Sequence, residues 1–123
     1  MFEHHATLKK HFSALRTTAD FFSLRYVRES GHYLSVRKNV AEPPHLNHDA
    51  GAMLTVRVNG VEAYAATHDI SLAGLQAALE RAEQQARLIK PHALLDLRDQ
   101  QVSSDVADYL SPNLAQAFPS LSD

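Results

Sequence analysis

Apolar residues recur at the period of an α-helix in two segments of the chain. Residues 2–19 show this period and predict a first helix that ends near Thr17-Thr18. Residues 71–89 predict a longer helix, with Ser71 as its N-cap and Lys90-Pro91 as its end, because the residue before a proline is disfavoured in helical conformation. The apolar positions of this second helix fall on one stripe, which we expect to pack on a core: Leu72, Leu75, Leu79, Ala82, Ala86 and Ile89.

Between the two helices, apolar and polar residues alternate as in strands that bury one face. Residues 21–29 and 32–40 predict a first antiparallel hairpin that turns at Ser30-Gly31. Residues 41–51 predict a loop, because Pro43-Pro44 cannot donate hydrogen bonds to a ladder.

A second hairpin is predicted at residues 52–58 and 61–66. The two strands are joined by Asn59-Gly60, a pair that tolerates the positive φ angles of a two-residue turn. Together these elements predict an α+β fold: an N-terminal helix, an antiparallel sheet of about four strands, and a long second helix packed across one face.

The chain changes character after the second helix. Residues 93–97 fit a short edge strand, and the sequence from Gln100 onward is rich in Ser, Asp and Pro, with a weak helical turn predicted at 104–110. We therefore expect a folded domain at residues 1–92 and a linker-like tail at residues 93–123.

Composition narrows the classes of function. A chain of 123 residues with 45% hydrophobic content is one domain, and its net charge of −2 disfavours nucleic acid and anionic membranes as partners. Because cysteine is absent, disulfides, thiol nucleophiles and cysteine metal sites are excluded. The sequence shows no secretory signal and no apolar run long enough to span a bilayer, so we expect a soluble, cytoplasmic protein.

The best local cluster of metal-ligating residue types is His45, His48 and Asp49. Nitrogen and carboxylate ligands at this spacing are able to share one ion. A proline-led loop gives them no fixed geometry, however, and solvated loop histidines are the favoured interpretation. We therefore assign no metal site and no catalytic residue to the chain.

Basic residues on the predicted strands are candidates for binding. The alternation places Arg25, Arg37 and Arg57 on one face of the sheet, where they are suited to phosphate or an acidic partner. The competing interpretation is a solvated outer face, which antiparallel sheets normally have. Tyr64, among small alanines, is interpreted as a core or interface residue and completes the set of binding candidates.

Several segments resemble the N-terminal domain of the TldD/PmbA family of zinc metallopeptidases: RYVRE at residues 25–29, LSVR at 34–37, VRVNG at 56–60 and AATHD at 65–69. The resemblance covers roughly residues 20–90. Members of this family are linked to microcin maturation and antitoxin degradation, and were once described as modulators of DNA gyrase. They act as dimers and carry an HExxxH zinc motif well downstream of this region.

The resemblance implies that this chain is a non-catalytic N-terminal domain that acts in substrate approach or dimer assembly. Its implied partners are the remainder of the peptidase or a homologous partner subunit, a peptide or protein substrate, and a second copy in a homodimer. Zinc is expected in the full-length parent and not in this chain, which lacks HExxxH and is predicted to be inactive alone. The alternative is a free-standing peptide- or protein-binding module, and continuation of the reading frame into HExxxH would distinguish the two.

Overall fold

A computed structural model of the chain describes residues 4–109. It has the α+β architecture that the sequence predicts, with antiparallel strands, a short N-terminal helix and a longer second helix. Neither α-helix in this part of the chain has the length and apolar character needed to cross a membrane. In chain order the elements are α1 (His5–Ala14), β1 (Phe21–Tyr33), β2 (Val36–Arg37), β3 (Val40–Ala41), β4 (His45–Val58), β5 (Val61–Thr67), α2 (Leu72–Ile89) and a 3₁₀ turn (Lys90–His92).

The main sheet has three strands in the order β1-β4-β5, all antiparallel, and β2 pairs with β3 in a separate two-stranded sheet. The second predicted hairpin is confirmed. The strands β4 and β5 pair from Ala52↔Thr67 to Val58↔Val61 and turn at Asn59-Gly60, where both φ angles are positive.

The core lies between α2 and one face of this sheet. Because β-strand side chains alternate between faces, Ala52, Leu54 and Val56 in the second half of β4 are buried, and the small residues of α2 allow the helix to approach closely. The helix α1 packs beside α2, where Phe12 stacks on Phe22 at 4.7 Å between ring centroids. The fully buried side chains of the core are those of Leu54, Val56, Leu75, Ala78, Leu79, Ala82 and Ala86.

The pairing of β1 with β4 continues well beyond the end of β5. The last residue of β5, Thr67, lies opposite Ala52, whereas β1 and β4 remain paired from Val27↔Gly51 to Tyr33↔His45. We call residues 27–51 the ribbon and residues 34–44, which include β2 and β3, its tip. The ribbon extends away from the core as two strands that no third strand of the sheet accompanies.

The predicted first hairpin is wrong in its turn and in its partner. Ser30-Gly31 lies inside β1, and the tight turn is at Lys38-Asn39, where both φ angles are positive. The predicted loop at residues 41–51 is mostly strand, because Pro43-Pro44 lies just before the first residue of β4 and removes no ladder bond from it. Pairing with β4 gives β1 thirteen cross-strand partners, far more than a local turn supplies.

Smaller differences concern the helices and the tail. The helix α1 ends at Ala14, and Leu72 and Ile89 of the predicted stripe are exposed at the two ends of α2. Residues 93–97 form no strand, and residues 104–109 form no helical turn, while residue 110 lies outside the described part. The tail instead runs past the β4–β5 turn, where the Leu97 N–H donates to the Gly60 carbonyl at 2.9 Å.

Candidate functional site

The face of the sheet opposite α2 carries most of the residues that are candidates for binding. In the region 4–109 no helix packs on this face, which we call the open face. Cross-strand pairing places side chains there in rows: Phe21, Arg57 and Glu62; Ser23, Thr55 and Tyr64; Arg25, Met53 and Ala66.

Arg57 is occupied by contacts within the domain. Its Nε donates to a Glu62 carboxylate oxygen at 3.0 Å, and its guanidinium carbon lies 4.9 Å from the centre of the Phe21 ring. One Nη donates to the Gln100 carbonyl at 3.4 Å, and the side chain is only 13% exposed. Arg57 therefore ties the turn end of the sheet to the tail rather than offering a free cation to a ligand.

The other binding candidates are exposed but do not form one cluster. Arg25 and Tyr64 share the open face, where Tyr64 is 64% exposed beside Thr55. Arg37 lies in β2, in the separate sheet at the tip. The structure thus brings three of the four predicted binding residues to one face and places the fourth at the far end of the ribbon.

The three candidate metal ligands all lie in β4 but do not converge. Strand alternation places His45 and Asp49 on one face of the ribbon and His48 on the other. The His48 Nδ1 is 3.1 Å from the Ser30 Oγ across the strand pair. Over residues 4–109 no three His, Asp or Glu side chains are arranged to hold a metal ion.

The polar segment before α2 serves as a helix cap. The Ser71 Oγ accepts a hydrogen bond from the Gly74 N–H at 3.1 Å, which satisfies a donor of the first helical turn. The hydroxyl and backbone N–H of Ser71 both donate to the Asp69 carboxylate and lower the pKa of Asp69 below its ordinary value. This acid and serine therefore stabilise the start of α2.

A groove of about 560 Å³ lies on the open face at the base of the ribbon, where β5 ends. Its volume is in the range of ligand-binding clefts. Val27, Gly51, Met53 and Ala66 line its apolar part, and Arg25 and His68 line it as well.

Two carboxylates form the end of the groove nearest the tip. Glu29 and Asp49 are direct cross-strand partners on one face, an arrangement that is unfavourable for like charges. Neither carboxylate has an ion-pair or hydrogen-bond partner within the described residues.

Among the strands and turns of the described chain, the tip is the segment whose large apolar side chains are most exposed. The large apolar side chains at and beside it are between 62% and 71% exposed: Tyr33, Leu34, Val36, Val40 and Leu46. Arg37 and Lys38 add two positive charges at the turn. The carboxylate of Glu42 is bonded to the Ser35 hydroxyl within the tip.

Sequence reasoning missed the ribbon because it accepted Ser30-Gly31 as a turn. The signal that locates the ribbon is the pair Lys38-Asn39 between two short apolar-containing runs, since asparagine readily adopts positive φ.

Comparison with known proteins confirms the resemblance to this family. The family model described as PmbA/TldA metallopeptidase domain 1 matches residues 22–86, which is more than half of the chain. No curated protein matches the chain. The matched region begins in β1, contains the whole ribbon and the groove, and ends within α2.

Proposed function

Because the chain belongs to the PmbA/TldD metallopeptidase family, we propose that it acts as a non-catalytic N-terminal domain of a cytoplasmic zinc peptidase. Its role is assembly: the ribbon makes the contact with the remainder of the peptidase or with a homologous partner subunit. The peptide or protein substrate is cleaved by other parts of the assembly.

The described residues do not fit a zinc site. His45 and Asp49 lie on the face of the ribbon opposite His48, and the chain contains no HExxxH. In a zinc peptidase the metal activates a water molecule that attacks the peptide bond. We assign that chemistry to a region outside this chain.

The exposed tip carries the proposal. A two-stranded ribbon without a third layer is marginally stable in water, and large apolar side chains concentrated at its end gain stability when a partner covers them. Burying apolar surface contributes about 25 cal/mol per Å². The ribbon is therefore better suited to insertion into another protein surface than to packing on its own domain.

Shortening the ribbon tests this role. Tyr33 and His45 are the last cross-strand pair, so replacing residues 34–44 by Asn-Gly joins them through a two-residue turn and keeps the rest of the register. Far-UV circular dichroism and the melting temperature serve as the control, because the core between α2 and the sheet is untouched.

Sedimentation equilibrium of the intact and shortened chains is the measurement. We expect the intact chain to associate at high concentration and the shortened, folded chain to remain monomeric. A folded, shortened chain that associates as strongly as the intact one would contradict the proposal.

The open strand edges favour a second candidate function, capture of an extended peptide. In the sheet, β1 is an edge strand, and residues 45–51 of β4 lack a strand on the side where β5 has ended. Such edges are used for strand addition. Backbone amide shifts along one of these edges when an unstructured peptide is added to the monomer would favour this module function over assembly.

A further inference from the structure

We propose that the tip of one copy of this chain docks in the groove of a second copy, and that the reciprocal contact forms at the same time. This inference rests on the proposed assembly function and names the surface and the partner. The groove and the tip are the two parts of the described chain whose charges and apolar surfaces complement each other.

The charges at the tip and at the end of the groove formed by the two carboxylates are opposite. At the tip, Arg37 and Lys38 have no carboxylate partner within the described residues, since the nearby Glu42 is bonded to Ser35. At the groove, Glu29 and Asp49 face one another without a cation between them. A lysine and an arginine placed at this end of the groove relieve the like-charge repulsion.

The apolar surfaces also match. Val40 pairs across the strands with Arg37 on the same face of the tip, is exposed, and has the size and chemistry to cover Val27, Met53 and Ala66 in the groove. Arg25 lies four residues from Glu29 along β1, roughly 13 Å away at the rise of a strand. The carboxylates are therefore the charges closest to an incoming tip.

Geometry requires two copies. Glu29 and Arg37 are eight residues apart in sequence, and none of residues 34–44 lines the groove of its own chain. Two ribbons aligned antiparallel about a twofold axis place each tip at the base of the other, so the contact is isologous and closes as a dimer.

Reversing the charges of one surface at a time tests the contact. In Arg37→Glu/Lys38→Glu the tip is acidic and meets an acidic groove, and in Glu29→Lys/Asp49→Lys the groove is basic and meets a basic tip. The groove variant replaces one like-charge pair across the strands by another, so the stability of the monomer is expected to change little. We expect each variant to weaken the dimer by at least about tenfold.

Mixing the two variants restores both contacts. The acidic tip of the first variant then meets the basic groove of the second variant. The basic tip of the second variant meets the acidic groove of the first. We expect the mixture to form a heterodimer with close to wild-type affinity, measured by sedimentation or by fluorescence transfer between labelled copies. The matched control is Lys9→Glu/Lys10→Glu on the exposed surface of α1. It has the same charge change as the tip variant and is expected to leave the dimer unchanged.

The outcomes separate this inference from the proposed function. If shortening the ribbon abolishes association but charge reversal and mixing have no effect, the ribbon docks elsewhere and the tip-to-groove contact is refuted. If the intact chain is a monomer at millimolar concentration, a second copy is not the partner, and the inference is refuted whatever other protein the ribbon contacts.

Discussion

At the level of single residues, burial in α2 differs from what helical periodicity indicates. Leu79 has no exposed surface, whereas Leu72 of the same predicted stripe is 40% exposed. The buried positions also include Ala78 and Glu83, which the stripe omits. Periodicity identifies the face of a helix that packs, but the width and ends of that face depend on the sheet beneath it.

Substitution of these two leucines provides a matched pair. Leu79→Ala is expected to lower the free energy of unfolding by about 2–5 kcal/mol, because it leaves a cavity in a closely packed site. Leu72→Ala removes a side chain at the exposed start of the helix and is expected to cost less than about 1 kcal/mol. Urea denaturation measures both, and equal losses would show that α2 does not pack on the sheet through Leu79.

Glu83 shows why a charged residue is tolerated in this core. It is 7% exposed, accepts a hydrogen bond from the Thr17 hydroxyl, and has Arg87 at 3.6 Å one turn further along the helix. A buried carboxylate that keeps its partners avoids most of the cost of desolvation. The predicted stripe omits Glu83, and a local pattern does not reveal its partner Thr17, which lies 66 residues away along the chain.

At the level of elements, the parts that sequence predicted correctly are those specified by neighbouring residues. The helix α2 has its N-cap at Ser71 and ends before Pro91, and the β4–β5 hairpin is determined by Asn59-Gly60. The ribbon depends instead on pairing between residues far apart, such as Phe21 with Arg57. The local turn signal at Ser30-Gly31 therefore led to a wrong prediction of the first hairpin, because a single sequence contains no direct information on long-range register.

The cap of α2 yields a test with two readouts. Ser71→Ala removes the acceptor for the Gly74 N–H and is expected to lower the free energy of unfolding by about 1 kcal/mol. It also removes the hydroxyl that donates to Asp69, so the pKa of Asp69 should rise toward its ordinary value.

The sign of the pH dependence follows from the direction of that shift. The folded-state pKa of Asp69 is lowered, so its contribution to stability is present above the ordinary pKa and is lost as the pH falls through the folded-state pKa. Carboxyl NMR titration measures the shift in the intact chain and in Ser71→Ala. An unchanged Asp69 titration in the variant would refute the assigned hydrogen bond.

At the level of the whole molecule, one end is anchored and the other is exposed. The β4–β5 turn is held by the tail through Gly60 and Arg57, and the core lies beside it under α2. The opposite end is the ribbon with its exposed apolar tip. Membership of a peptidase family was predictable from sequence, but this division was not, because the ribbon that defines it was assigned to a hairpin and a loop.

The same division accounts for where the candidate residues lie. The weak candidate metal ligands His45, His48 and Asp49 lie on both faces of the ribbon, and Arg37 lies in the tip. Only the strand pairing shows which of these side chains lie on the same face. The residues that make up the open face and the tip therefore depend on the strand register, which single-sequence patterns specify weakly.

Hydrogen exchange at two protein concentrations tests the central claim, that the ribbon is the docking element, most directly. In dilute solution the ribbon should exchange rapidly because two strands alone open easily, and at high concentration exchange should slow across residues 27–51 while α2 is unaffected. Protection gained on α2 and not on the ribbon, or rapid exchange of the ribbon at every concentration at which the chain associates, would contradict the account.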